Sequence, residues 1–368
     1  MIAFRESPAL TLGMEIEFQV LRAEDLSLAP GGPLLLAEAR KVPELAEWVR
    51  PEFIRSMLEI VTPVCQGVAE AEAWLRENLS RLFKMAEVRG YRLLAASLHP
   101  FSRAAEQRVW EDPRYESLRE ELQLVGRRFI SQGLHIHLGM PSAEEALRAY
   151  RWFRLYTPVF LALTTSSPFY EGEFTGFYSY RSKLFEALPL AGYPRDFPSY
   201  ADFSALVEEL LGLGIINHPR DLWWDVRPHP LFGTLELRVC DLPSRFSEIL
   251  AVAALARALA RTVLSEKAEP PEVPMEILRY NKWQAARHGL EGFFVDPLTR
   301  RKNTFREFFR EFLFRCAGAL AETGERPYVL ALERVVEEGT SAHRQINLYA
   351  ETQDFRRVIE SLLEGFWS

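Results

Sequence analysis

Cysteine is scarce in this chain, with three among 368 residues. Cys65, Cys240 and Cys316 form an odd, scattered set without C-x-x-C spacing, which points away from a disulfide framework and from a thiolate zinc site. A reducing compartment, the cytoplasm, is the expected location. Positive charge is also in short supply: 44 Lys plus Arg against 51 Asp plus Glu give a formal net charge of −7, which disfavours a nucleic-acid partner or an anionic membrane. No apolar run is long and clean enough for a bilayer. The most apolar, Ile249 to Leu264, is broken by Arg257 and Arg261 and reads as a buried amphipathic helix. The opening Met-Ile-Ala-Phe-Arg-Glu-Ser-Pro sets charges and a proline where a signal peptide needs unbroken apolar residues. G-x-x-x-x-G-K-[ST] is missing, as is a complete G-x-G-x-x-G after a strand, so P-loop and Rossmann nucleotide sites are unsupported. Internal repeats and low-complexity tracts are absent too.

What the chain does have is material for a large core, at 48% hydrophobic and 12% aromatic residues. From Leu12 to Val20 the sequence alternates strictly, Leu12, Met14, Ile16, Phe18 and Val20 against Gly13, Glu15, Glu17 and Gln19. Period two predicts a strand, and because successive side chains leave opposite faces of the pleat, Glu15 and Glu17 stand side by side. The design repeats over Gly133–Gly139, with His135 and His137 on the polar face, and over Thr234–Cys240, with Glu236 and Arg238. Shorter strands are expected at Met57–Thr62 (with Glu59), Tyr91–Leu98 and Trp223–Arg227 (with Asp225 and Arg227).

Helical periodicity covers Ala69–Arg89, Tyr115–Arg128, Ala143–Leu163, Ala201–Leu211, Phe246–Glu266, Met275–His288, Thr304–Glu322 and Phe355–Leu363. Without regular alternation of strand and helix, the class expected is α+β, a mainly antiparallel sheet with helices packed on one face. Proline- and glycine-rich stretches at Ala29–Pro33, Leu188–Pro198 and Glu269–Pro274 read as long loops and not as linkers, so residues 1–368 are expected to form a single domain.

The other sheet face, polar on strand after strand, is costly to assemble unaided, since neighbouring like charges repel; bound cations remove that cost. Glu15, Glu17, Glu59, Glu236 and His137 form the candidate ligand set, with Glu52 a further carboxylate seven residues before Glu59. Oxygen ligands with an occasional imidazole suit Mg²⁺ or Mn²⁺ better than zinc. Each carboxylate read alone is equally a solvent-facing strand residue, and either histidine a satisfied hydrogen-bonding group. Arg181, Arg227, Arg238 and Arg245 follow the acids closely, and guanidinium suits paired contacts with phosphate or carboxylate. Cys240, with no local base pattern beside it, reads as a packed thiol.

These segments resemble a known family, the type 2 glutamate–cysteine ligase or carboxylate–amine ligase proteins, related in fold to glutamine synthetase. TLGMEIEF resembles the family's opening G-x-E-x-E-F strand and SMLEIVTP its second acidic strand. GLHIHLGM is similar to its H-x-H-x-G element, WWDVRPHPLFGTLELRVCD to its most distinctive segment, and YNKWQAARHGLEG and GTSAHRQ to its two C-terminal signatures. The resemblance implies a curved antiparallel sheet forming an active-site funnel, with helices outside. It also implies ATP and Mg²⁺ (or Mn²⁺) ions held at Glu15, Glu17, Glu52, Glu59, His137 and Glu236; on that basis Arg227 and Arg238 are expected to be catalytic, and Arg181, Arg245 and Arg344 to bind substrate or ATP. The expected reaction joins the side-chain carboxylate of glutamate to an amine, cysteine first among candidates, through an acyl phosphate. A homodimer is expected by analogy only. Two departures from the family pattern are Leu134, where many members have cysteine, and His343, where aspartate is common; they leave the amine open. A metal hydrolase using His135 and His137, or a non-catalytic sensor of glutamate-like metabolites, are the rival readings.

Overall fold

A computed structural model describes residues 1–368. Seven strands make the main sheet: β1 (Leu12–Arg22), β2 (Val49–Pro51), β3 (Met57–Val61), β4 (Tyr91–Leu94), β5 (Leu134–Gly139), β6 (Val226–His229) and β7 (Thr234–Leu237). Their order is β6-β7-β5-β1-β3-β2, every pairing is antiparallel, and β4 joins the far end of β1 across Gln19–Arg22. The period-two pattern is why these segments pair this way: Leu12, Met14, Ile16, Leu58, Ile60, Leu134, Ile136, Leu138, Leu235 and Leu237 are fully or almost fully buried on one face. That face packs against helices Val68–Val88, Ala143–Thr164 and Phe246–Glu266 in a continuous core of 82 buried residues. No helix is long and apolar enough to cross a membrane.

Every helix expected from periodicity forms within a few residues of its bounds, and Gly90, with φ +77°, takes the left-handed position after Val68–Val88. Helices also form at Gly32–Ala39, Arg181–Glu186, Arg326–Glu338 and Ser341–Thr352. The first of these corrects the loop reading of Ala29–Pro33, because Pro33 sits in the opening turn of a helix, where its missing N–H costs nothing. The expected strand Trp223–Arg227 is broken at Asp225: Trp223–Trp224 pairs in parallel with Ala191–Gly192, and Val226 onward joins the main sheet. At the break the Asp225 carbonyl accepts the N–H groups of both Arg238 (2.8 Å) and Val239 (3.0 Å). β7 therefore stops at Leu237 instead of running to Cys240, and Tyr91–Leu98 is extended strand only to Leu94. All three cysteines are free and buried, and burial pushes the Cys240 thiol up to about 12, as expected of packing and not of a nucleophile.

Candidate active site

Sheet register brings the separated acids together. Glu17 on β1 stands directly opposite Glu59 on β3, Glu15 opposite His135 on β5, and His137 opposite Glu236 on β7, which in turn faces Arg227 on β6. All share the face opposite the helices, and Glu52 enters from the turn between β2 and β3. Their ligand atoms fall into three overlapping groups, each within 4.8 Å: Glu15–Glu59–His135, Glu15–His137–Glu236 and Glu17–Glu52–Glu59. The acids and both histidines line one cavity of about 440 Å³.

The electrostatics divide this row in two. Around β5 and β7, charges are matched. Arg227 holds Glu236 through Nε (2.6 Å) and Nη2 (3.2 Å), and Arg238 pairs with the same carboxylate. Burial opposes ionisation of Glu236, but the two guanidinium groups and His137 outweigh it and hold its carboxyl well below the usual range. Burial likewise opposes ionisation of Glu15, and the charge of His137 with the hydrogen bond from His135 overrides it. Around β3, acids face acids. Burial and the Glu52 charge raise Glu17 to about 8, burial and the Glu15 charge raise Glu52 to about 7, and Glu59, surrounded by Glu15, Glu52 and Glu17, is pushed well above its ordinary value.

The imidazoles are oriented from behind. His137 Nδ1 contacts Thr234 Oγ1 at 3.0 Å and His135 Nδ1 contacts Glu15 Oε2 at 2.9 Å. Both Nε2 atoms are buried and make no hydrogen bond, although Glu15 Oε1 lies 3.3 Å from that of His137 and Glu17 Oε1 lies 4.0 Å from that of His135. Two orphaned imidazole nitrogens aimed among carboxylates are what a hard divalent cation with mixed oxygen and nitrogen ligands requires. The residues present fit such an ion.

The arginines divide. Arg227 and Arg238 line the cavity. Every nitrogen of the Arg227 guanidinium is engaged, since Nη1 also donates to the Arg220 (2.6 Å) and Leu222 (2.8 Å) carbonyls, whereas the Arg238 side chain bonds Glu236 through Nη1 alone. Arg181 lies behind this layer. Its guanidinium sits 4.5 Å over the Phe185 ring and leans on the Arg238 and Val239 carbonyls at 3.4 and 3.5 Å. Gly133 leaves it room, for a methyl there would overlap the guanidinium. Arg245 and Arg344 are not brought to the acids at all: Arg344 binds Ser244 Oγ (3.0 Å) and Glu248 (2.8 Å) in a separate crevice, with Arg245 4.0 Å from Glu248. Arg245 precedes the helix Phe246–Glu266, and Arg344 belongs to Ser341–Thr352, whose start is tied through Thr340 to Thr165, so both are committed to joining helices.

Sequence reasoning passed over Lys282, the residue of YNKWQAARHGLEG that reaches the site's support. It is buried and clasps Asp225 through both oxygens, at 2.8 and 2.9 Å, at the break that fixes the Arg238 main chain. Arg50, Arg114, Arg220, His229 and Phe232, which also line the cavity, were missed as well. Arg50 had a signal, two residues before Glu52, and His229 and Phe232 lie within the segment WWDVRPHPLFGTLELRVCD.

Fold and pocket together define an enzyme of the carboxylate–amine ligase type. Among solved structures, a glutamate–cysteine ligase from Francisella tularensis in complex with AMP superposes with TM-score 0.72, at 13% identity, over 99% of this chain and 90% of that one. A bifunctional glutathione synthetase from Pasteurella multocida gives 0.73 at 17% identity, over 97% of this chain and 52% of its own. A Gloeobacter violaceus protein that carries a glutamate–cysteine ligase 2 name is 36% identical over 367 residues, 99% of each chain. The chain belongs to glutamate–cysteine ligase family 2, whose sequence model matches residues 11–361.

Proposed function

We propose that this enzyme uses ATP to join the side-chain carboxylate of glutamate to an amine, with cysteine the first candidate, through an acyl phosphate. The supporting observation is the acid row itself, in a chain of this family: buried glutamates and two imidazole nitrogens without a hydrogen bond converge, and around Glu17, Glu52 and Glu59 acid faces acid. Glu15, Glu17, Glu52, Glu59, Glu236 and His137, joined by His135, would hold Mg²⁺ or Mn²⁺. Such ions supply charge neutralisation on phosphate oxygens.

In the first step an oxygen of the glutamate side chain bonds to the γ-phosphorus as the bond to ADP breaks. In the second the amine nitrogen attacks the activated carbonyl, the C–N bond forms, and inorganic phosphate leaves as the nitrogen gives up its proton. Such transfers need little covalent help, so position and charge do most of the work. Arg238, with N–H groups to spare, steadies phosphate or carboxylate oxygens. Arg227 holds Glu236 in place, and Arg181 and Lys282 brace Arg238 from behind.

The test is ADP release with glutamate, Mg²⁺ and a panel of amines. Amine-dependent release, strongest with cysteine, is expected; turnover without ATP would replace the ligase reading by hydrolysis, and metabolite binding without turnover by a sensor.

A further inference from the structure

The turn Pro230–Gly233 between β6 and β7 is braced more firmly than a hairpin tip needs. Arg5 N–H donates to the Pro230 carbonyl (2.8 Å), Ser7 Oγ donates to the Phe232 carbonyl (2.7 Å), and the Phe232 and Gly233 N–H groups both donate to the His229 carbonyl (3.2 and 2.9 Å). The N-terminal segment passes so close that any side chain at Gly233, whose φ is +65°, would overlap the Arg5 carbonyl. What this scaffold fixes is an aromatic ring in an unusual position. Phe232 is 53% exposed, yet one face of its ring is stacked on His229, centroids 4.1 Å and planes 11° apart. It lines the cavity, and its centroid lies 5.9 Å from the ring of His137, which belongs to the Glu15–His137–Glu236 group.

A single exposed phenyl ring is ordinary on a protein surface. One whose main chain is pinned, stacked on a neighbouring ring and half exposed beside a cluster suited to phosphate-bound cations, is preorganised for a planar group attached to a phosphate chain. We propose that Phe232, backed by His229, is the stacking platform for the purine base of the nucleotide, and that Ser7 positions it. This rests on the ATP reading above and adds the residue that recognises the base.

Equilibrium binding to the full chain in Mg²⁺ separates base from phosphates, with ATP and inorganic tripolyphosphate as the two probes. Phe232→Ala is expected to weaken ATP roughly ten- to hundred-fold, the range for loss of one base–aromatic stack, with tripolyphosphate unchanged. Phe232→Tyr restores ATP binding, and Ser7→Ala gives a smaller loss in the same sense. In turnover the effect falls on KM for ATP and not on KM for glutamate. Wild-type binding of ATP that Phe232→Ala leaves intact, or an equal loss for both probes, overturns the platform alone; a wild type that binds tripolyphosphate and ATP equally well overturns it also. A wild type that binds neither overturns the ATP reading, and the platform with it.

Discussion

The two halves of the acid row are built from the same residue type on the same sheet, yet they solve the burial of charge in opposite ways. At β7 the buried carboxylate of Glu236 is neutralised within the protein by Arg227 and Arg238, and it stays ionised. At β3, Glu59 meets Glu17 directly across the strand pair and Glu52 beyond it, and all three are driven toward the protonated form. One half is complete before anything binds. The other is a deficit of positive charge held open by the fold, and a metal ion is the group that fits it.

The largest expected effect follows from breaking each half in turn. Glu59→Gln and Glu236→Gln should both abolish metal-dependent ADP release, by more than the roughly 10–100-fold seen for groups one layer out from a metal. Their stabilities should move in opposite directions. Glu236→Gln strands the buried Arg227 guanidinium and the partly buried one of Arg238 and should cost about 3 kcal/mol in urea unfolding. Glu59→Gln removes a source of repulsion, so the metal-free protein should be as stable as wild type, or more so, at pH 8. Equal destabilisation by both would erase the distinction between the halves.

Next in size is the support behind the matched half. Lys282 and Asp225 are buried to within 4% and 8% of side-chain exposure, so Lys282→Met leaves an unpaired buried carboxylate and should cost about 3–5 kcal/mol. Lys282→Met with Asp225→Asn removes both charges and should regain most of that stability while Arg238-dependent turnover stays impaired. Full turnover in the double variant would show that this pair does not position Arg238.

The unmatched half also makes a statement about pH. Glu17 at about 8 and Glu52 at about 7 keep protons in the folded state that the unfolded chain releases near 4.5. The folded state binds more protons through that window, so stability without metal should fall as pH rises from about 4.5 to about 8. Saturating Mg²⁺ fits the ionised carboxylates and should flatten or invert this slope. Urea midpoints at pH 5.5 and 8, each with Mg²⁺ and with a chelator, give the answer; a slope indifferent to metal would detach these acids from any cation.

How much of this was legible beforehand depended on whether the signal was local. Alternation from Leu12 to Val20 is set by each residue's own position in the pleat, so the strand, its buried face and the pairing of Glu15 with Glu17 could be read directly. Which strand lies beside which is set by pairing over long separations, so the opposition of Glu17 to Glu59 required the structure. The arginines show the same limit. Arg238 lies two residues past Glu236, just beyond the end of β7, and stays beside it; Arg245, only a few residues further, is carried away by the helix that starts at Phe246. Lys282 reaches Asp225 from 57 residues away, and nothing in its own neighbourhood signals that contact.

A histidine outside the row supplies the control for the pH comparison. His99 is fully buried; its Nε2 bonds the Leu26 carbonyl at 2.8 Å, and its Nδ1 accepts the Ser102 N–H at 3.0 Å. Burial lowers it from its ordinary 6.5 to about 4. Here the unfolded chain takes up the proton first, so stability is present above 6.5 and drains away as pH falls toward 4, the reverse of the glutamate limb. Because His99 faces no carboxylate of the row, its own share of this acid-side loss should be the same with and without Mg²⁺. His99→Gln should flatten it without altering the metal dependence at pH 8, at the smaller cost of exchanging one buried hydrogen-bonding group for another. A difference between wild type and His99→Gln below pH 6.5 that changes with Mg²⁺ would instead tie His99 to the row.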